Sequence, residues 1–594
     1  MKRLNLILLS AFVLLTAGVA QTSELNQPFS PTAMAVDQHK KMVAIAGKTA
    51  NTIAIMRLKD GKIIKQFKTE LPPTGLIFKD KSLWVTTTYS KGYLLKFDLK
   101  NGVEQQIRVG HGACAPVAHP EKHLIYVANQ YTDDVSVVDV NQGKEIDRIE
   151  VLRQPMTEAI SNDGRFLFVA NLLPETRADI DTVAAAVSII DTEKGIKVKD
   201  IRLANGSNAL RDITISPDGK YVFVSHNLGR FQVPTTQLVQ GWMNTSAISV
   251  IDAKKLSYVA TVILDQSERG AAGTWGISIN DEEIIVAHSG THDYSRIQYQ
   301  PFIDQLEKYK NKENLSYDLQ FIQPLRQRFA IEGNGPRVIK VVDQKLLVAN
   351  YFSDDIEIVD LTQSKPTKTI QLNEDYQPDD IRLGEMIFND ASHCFQGWQS
   401  CNGCHPNDAR VDGLNWDLLN DGIGNPKNCK SLLLSHETPP AMITGIRPTA
   451  EIAVRAGFRH IQFAQVKEED AKKVDAYLKR LKPVPSPYLK DDGQLSDKAE
   501  KGKAIYERVG CSYCHHGKYF TDMKKHTMGK MSPYDQQNTW DTPSLVEIWR
   551  TGPYLHDGRC ATLEEVFTNE KHGLRDQELG KEEVEQLVEY LKSL

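Results

Sequence analysis

The sequence predicts a multidomain fold, an all-β seven-bladed propeller followed by two mainly α domains. Three observations carry that prediction. A β-hairpin unit returns seven times between about residue 28 and residue 375; the pentapeptide Cys-x-x-Cys-His occurs twice in the last third; and the helical segments flanking its first copy return around the second.

The chain begins with Lys2 and Arg3, an apolar run through Leu15, and Ala17-Gly-Val-Ala20 before Gln21. Residues 1–20 therefore read as a cleavable secretory signal, which predicts an exported, periplasmic protein. No later stretch reaches 18 continuous apolar residues, so no stable membrane span is expected. Lys plus Arg number 71 against 76 Asp plus Glu, a balance without the basic excess that binding to nucleic acid would require.

The propeller is assigned to residues 21–375. Its clearest units are Leu124-Ile-Tyr-Val-Ala-Asn129 with Val135-Ser-Val-Val-Asp139, and Leu346-Leu-Val-Ala-Asn350 with Ile356-Glu-Ile-Val-Asp360. Looser copies begin near Met42, Leu83, Phe166, Tyr221 and Ile284, and Ser161-Asn-Asp-Gly164 and Ser216-Pro-Asp-Gly219 are tight turns into strands. A hairpin period of about 40 to 60 residues is the signature of propeller blades, each burying its faces against its neighbours. These blades resemble the Tyr-Val-Thr-Asn-type repeats of bacterial exported proteins. Longer excursions at 172–186, 227–246 and 291–335 are candidates for a surface that holds a substrate or partner, with scaffolding as the alternative. His111, His119, His226, His288 and His292 lie in or beside this array without a metal-ligand spacing.

Cys401-Asn-Gly-Cys404-His405 and Cys511-Ser-Tyr-Cys514-His515 carry the chemistry. Two thiols three residues apart add to the vinyl groups of a haem, and the adjacent imidazole becomes the proximal iron ligand. A thiolate zinc site or a redox dithiol would also use Cys-x-x-Cys, but the histidine in both copies favours haem. Two covalently bound haem c groups are expected, ligated by His405 and His515. The other four cysteines, Cys114, Cys394, Cys429 and Cys560, allow three disulfide pairings, and Cys394 and Cys429 bracket the first motif.

Arg382-Leu-Gly-Glu-Met-Ile-Phe388 precedes the first motif as Glu500-Lys-Gly-Lys-Ala-Ile-Tyr506 precedes the second, each read as a helix with glycine at a haem-packing position. Each unit closes on a helix, near 474–481 and 588–594, and Pro483-Val-Pro-Ser-Pro487 marks the seam. Residues 376–487 and 488–594 are thus two tandem cytochrome c domains.

Thr542-Pro-Ser-Leu545, Thr551-Gly-Pro-Tyr-Leu-His-Asp-Gly558 and Thr562-Leu-Glu-Glu-Val566 resemble the second domain of the di-haem cytochrome c peroxidase and MauG superfamily, over roughly residues 380–594. The resemblance implies an interdomain calcium ion at Asn428, Thr551 and Pro553, oxygen donors suited to a hard cation. It also places His556 near the interhaem region, in a catalytic or a hydrogen-bonding role. Where the family has Met or Tyr as a distal ligand this chain has Glu570, with His572 two residues on. His572 is taken as the distal ligand of the second haem, with Met523, Met528, Met531 and His526 as rivals. In the first domain, His460 takes a place similar to that of His572, as distal ligand, acid–base residue or packed side chain; His436 and Met442 are weaker candidates. Trp398 and Trp416 flank the first motif as electron relay or as core.

These parts imply a peroxidase reducing hydrogen peroxide, or a MauG-like haem oxidase. The alternative is a non-enzymatic periplasmic electron-transfer protein with a partner-binding propeller. The expected electron donor is a small redox protein or a quinol-linked cytochrome.

Overall fold

The computed structural model describes residues 27–594 apart from 38, 235–242, 364 and 420–423, so the predicted signal segment lies outside the described residues. Seven four-stranded antiparallel sheets span 31–68, 73–111, 113–150, 155–202, 207–263, 274–330 and 336–371, each with its strands in chain order. The first strands of successive sheets neighbour one another around a ring, and the first blade lies beside the seventh. This is the seven-bladed propeller that the repeat predicts.

The repeat has a local physical cause. The asparagine ending the second strand is fully buried and uses its amide to hold the next strand. Asn129 Nδ2 donates to Asp134 Oδ1 at 2.6 Å and to Ser136 Oγ at 2.7 Å, and Asn350 Nδ2 donates to Asp355 Oδ1 at 2.6 Å. The aspartate ending the third strand then sets the following turn. Asp139 Oδ1 accepts from the backbone N–H of Asn141 and Gln142, and Asp252 Oδ1 from those of Lys254 and Lys255. In Ser216-Pro-Asp-Gly219 the serine hydroxyl bonds Asp218 and accepts from Tyr221 N, while Gly219 takes the positive φ of 67° that the turn needs.

The ring closes without sharing a strand between blades. Asp354 in the seventh blade accepts from the backbone N–H groups of Phe29 (2.7 Å) and Ser30 (2.8 Å), and Phe29, Met34 and Ile45 pack on Val342, Leu347 and Ile356. Of the three excursions, 291–335 contributes α1 (Tyr299–Lys308), whose Tyr299, Phe302, Ile303 and Leu306 join the apolar core between two blades. The described parts of the other two pack against the C-terminal domains. Ala178 N donates to Gly558 O, and Val183, Phe231 and Met243 pack with Leu414, Trp416 and Cys429.

The C-terminal part repeats one helical frame. α2 (Asp380–Asn389), α3 (Ala450–His460) and α4 (Glu468–Arg480) belong to its first copy, and α5 (Asp497–Val509), α6 (Leu563–Thr568) and α7 (Lys581–Lys592) to its second. Asp379, Thr449, Ser496 and Thr562 cap α2, α3, α5 and α6. Gly384 and Gly502 differ from expectation: they serve helix crossing. A Cβ on Gly384 would overlap the Lys473 carbonyl of α4, and one on Gly502 the Gln586 carbonyl of α7. None of the eight cysteines is in a disulfide, and Cys394 and Cys429 lie in separate apolar clusters. No helix among the described residues is long and apolar enough to cross a membrane.

One buried acid opposes this packing. Glu158, on the first strand of the fourth blade, is buried with neither carboxylate oxygen hydrogen-bonded, and burial raises its pKa well above the usual glutamate value. The folded protein therefore holds a proton that the unfolded chain releases, so stability falls as pH rises beyond the ordinary glutamate range, with a slope of up to about 1.4 kcal/mol per pH unit. Glu158→Gln should remove that slope and raise the melting temperature at pH 8 but not at pH 4, as read by thermal melts across pH.

Candidate haem sites

Both pentapeptides fold the same way. Residues 401–403 and 511–513 form single 3-10 turns, and the backbone N–H of His405 and His515 donates to Cys401 O and Cys511 O, each at 3.0 Å. Each imidazole then bonds the carbonyl five residues on: His405 Nδ1 to Arg410 O at 3.0 Å and His515 Nδ1 to Phe520 O at 3.1 Å. A carbonyl only accepts, so Nδ1 carries the proton and Nε2 remains for a metal. Burial lowers the pKa of both rings to about 4, which keeps them in the neutral, ligating form at neutral pH.

The first site is deeply enclosed. After His405 the chain turns through Asn407, Asp408 and Ala409, all with positive φ (56°, 62° and 63°), a conformation that costs L-residues about 1–2 kcal/mol each. The surroundings hold it: Asn407 Nδ2 donates to Gln154 Oε1 of the propeller at 3.1 Å, and Asp408 lies 3.9 Å from Lys48, whose charge holds its carboxyl at about 2. The thiols are also supported. Gln462 Nε2 lies 3.1 Å from Cys401 Sγ, and Asn244 Nδ2 of the propeller 3.1 Å from Cys404 Sγ. Trp398 packs beside Cys394, and Trp416 donates its N–H to Asp412 at 2.7 Å within the apolar contact with the propeller. The second site is more open. Tyr513, between its two cysteines, is 74% exposed.

His572 faces His515. Their ring centroids are 6.5 Å apart, and burial lowers the pKa of His572. Two imidazole nitrogens each about 2 Å from a metal put ring centroids about 6 Å apart, so the pair fits an iron between them. Cys514, Asp522 and His526 also cluster closely enough for a metal, but Cys514 belongs to the haem motif and His526 pairs with Asp522 at 2.7 Å. Met523 and Met531 are exposed.

The duplication supplies the counterpart of His572. Thr449 and Thr562 cap α3 and α6; Met442 and Leu555 share a φ of 75° and 73°, Phe463 and Lys571 one of 51° and 48°. After each helix a backbone N–H returns to the helix, Ala464 N to Phe458 O at 2.9 Å and His572 N to Val566 O at 3.0 Å. Ala464 therefore stands where His572 stands. His460 falls opposite Thr568 instead, each the exposed last residue of its helix. α3 has 11 residues against 6 in α6, which shifts the register and hides Ala464 from sequence comparison. His436, another candidate, is buried against Asp475 at 3.1 Å.

The remaining predicted groups meet between the domains. Asn428 N donates to His556 O at 2.9 Å and Asn428 Nδ2 lies 2.5 Å from Pro553 O, while Asn428 Oδ1 is buried without a partner. Thr551, two residues before Pro553, lies in the same segment. His556 bonds Asp535 at 2.7 Å and stacks on Trp540, centroids 4.0 Å apart. Burial lowers its pKa.

No family model matches the chain. It is 30% identical to hydrazine synthase subunit gamma of Kuenenia stuttgartiensis over 276 residues, spanning 36% of this chain and 77% of that protein. It is 22% identical to cytochrome c551 peroxidase of Nitrosomonas europaea over 294 residues, 39% of this chain and 85% of the relative. The chain belongs to the di-haem cytochrome c peroxidase and MauG family. It is also 25% identical to hydrazine synthase subunit beta of K. stuttgartiensis over 236 residues, 38% of this chain and 58% of that subunit. A solved chain of K. stuttgartiensis hydrazine synthase superposes with a TM-score of 0.52 at 18% identity, over 56% of this chain and 96% of that one, which supports the fold.

Membership in this family, with the geometry of both motifs, implies covalently bound haem c. The denatured protein should carry the mass of two haems by mass spectrometry, and the double variant Cys511→Ala/Cys514→Ala should carry one.

Proposed function

We propose that this chain is an exported di-haem peroxidase, reducing hydrogen peroxide at the first motif and taking in electrons at the second. One observation carries the proposal: the duplicated frame offers His572 to the second site and Ala464 to the first. Each haem, when bound, supplies a one-electron iron centre, and an iron with a free sixth position also takes a small oxidant.

The residues divide that work. His405 and His515 would each hold one haem iron through Nε2, and His572 would supply a second imidazole at the second site. The methyl group of Ala464, at the matching position of the first unit, cannot ligate a metal. Gln462, two residues earlier, keeps Oε1 buried and unpartnered and brings a polar amide beside Cys401. The exposed Tyr513 marks the side on which a small donor protein reaches the second site. Asn428, Thr551 and Pro553 would hold calcium between the domains, the buried Asn428 Oδ1 being an oxygen without a hydrogen-bond partner. His556, fixed by Asp535 and Trp540, orders the interdomain segment.

Electron paramagnetic resonance of the ferric protein tests the asymmetry. One high-spin and one low-spin signal are expected, with peroxide turnover; Ala464→His should make the first haem low-spin and reduce turnover by at least about 100-fold, on the scale of a lost catalytic group. His572→Ala should make the second high-spin. Two low-spin haems without turnover would leave an electron-transfer protein. Chelation of calcium should lower the melting temperature and the turnover, and Asn428→Ala should abolish that response.

One observation favours a second reading. The chain is similar to both the gamma and the beta subunit of hydrazine synthase, which fits a reaction of that kind at the first site. Hydrazine as a product, in the absence of peroxide turnover, would decide for it.

A further inference from the structure

The two proximal histidines bond equivalent carbonyls, but those carbonyls belong to different residues. Behind His515 stands Phe520; behind His405 stands Arg410, which is charged and almost fully buried. Its guanidinium leaves the first cytochrome domain. Arg410 Nε lies 2.8 Å from Glu547 Oε2 and Arg410 NH2 3.0 Å from Glu547 Oε1, a two-point pairing with a side chain of the second domain. Glu547 is 0% exposed and has a positive φ of 60°.

Everything around Glu547 fixes it. Its carboxylate also accepts from Val484 N in the interdomain linker and lies 3.7 Å from Arg550 Nε, and its N–H donates to Leu594 O at 3.2 Å. Arg550 O in turn accepts from Arg153 NH2 at 3.0 Å and Gln154 Nε2 at 3.3 Å of the propeller. Arg410 thus cannot rotate without stranding a buried charge, and its carbonyl cannot leave His405 without moving Arg410.

We infer that Glu547 is a positioning residue for His405: through Arg410 the second domain sets the hydrogen bond behind the proximal ligand of the first haem, and only of the first. A firm bond from Nδ1 to a carbonyl makes an imidazole a better electron donor to iron and lowers the reduction potential. The inference concerns the proximal side alone and stands whether or not the sixth position is open.

Potentiometric titration of the holoprotein tests it, with the second haem identified as the component absent from Cys511→Ala/Cys514→Ala. Glu547→Gln keeps the shape and removes the charge, and should shift the first haem's potential upward while leaving the second's in place. Arg410→Lys keeps a charge for Glu547 but loses the two-point pairing, and should give a smaller upward shift of the same haem; it reads the same link from the other end if Glu547→Gln does not fold. Unchanged potentials, a downward shift, or equal movement of both haems in either variant would overturn the inference, since a merely structural role would not single out one haem.

Discussion

A fully buried carboxylate has to be met by charge and hydrogen bonds, because an isolated ion in protein interior costs several kcal/mol. Glu547 meets that demand from three directions: Arg410 of the first cytochrome domain, Arg550 of the second, and the backbone of Val484 between them. Neither cytochrome domain could supply this set alone. Arg550 extends the junction to Arg153 and Gln154, so the propeller's third-to-fourth blade connection shares the same node. Three separately cored units are thereby held in one arrangement, with the first haem motif beside the place where they meet.

That arrangement accounts for the unequal fates of two similar halves. Gly384 and Gly502 show that the frame is common, since both let the first and last helices of a unit cross at backbone contact. Divergence falls on few positions. Phe520 stands in the second half where Arg410 stands in the first, and His572 where Ala464 stands. The first motif is sealed on its outer edge by propeller residues Asn244, Phe231 and Met243, whereas Tyr513 leaves the second open to solvent.

Local chemistry was legible in the sequence, and contact between distant segments was not. The blades could be counted because Asn129, Asn350 and the turn aspartates act within a few residues of themselves, so the same need returns with the same spelling. The haem motifs were legible for the same reason. The excursions at 172–186 and 227–246 read as a surface for a partner, and the described parts of both pack against the chain's own cytochrome domains; nothing in their composition says what lies opposite. Gly384 and Gly502 read as haem-packing residues because the helix that each crosses lies about 90 residues downstream. His460 read as the match of His572 because spacing is counted along the chain, and five extra residues in α3 move the loop without changing its appearance. Arg410 and Glu547 carried no signal at all: each is an ordinary charged residue until their pairing shows that both are buried.

The propeller then has a physical reason to be part of this chain. The first motif needs a left-handed turn at Asn407, Asp408 and Ala409 to bring the Arg410 carbonyl under His405, and that turn is disfavoured by about 1–2 kcal/mol per residue on its own. Gln154 bonds Asn407, Lys48 pairs with Asp408, and Arg211 lies 3.4 Å from Asn402 in the motif itself. These contacts come from the first blade, from the connection into the fourth and from the fifth, so a single hairpin could not provide them. A closed ring presents many loops on one face in fixed positions, and the strained turn lies on that face. The geometry of His405 therefore rests on a surface assembled from several blades held in one ring, which is why the scaffold cannot be separated from the site it supports.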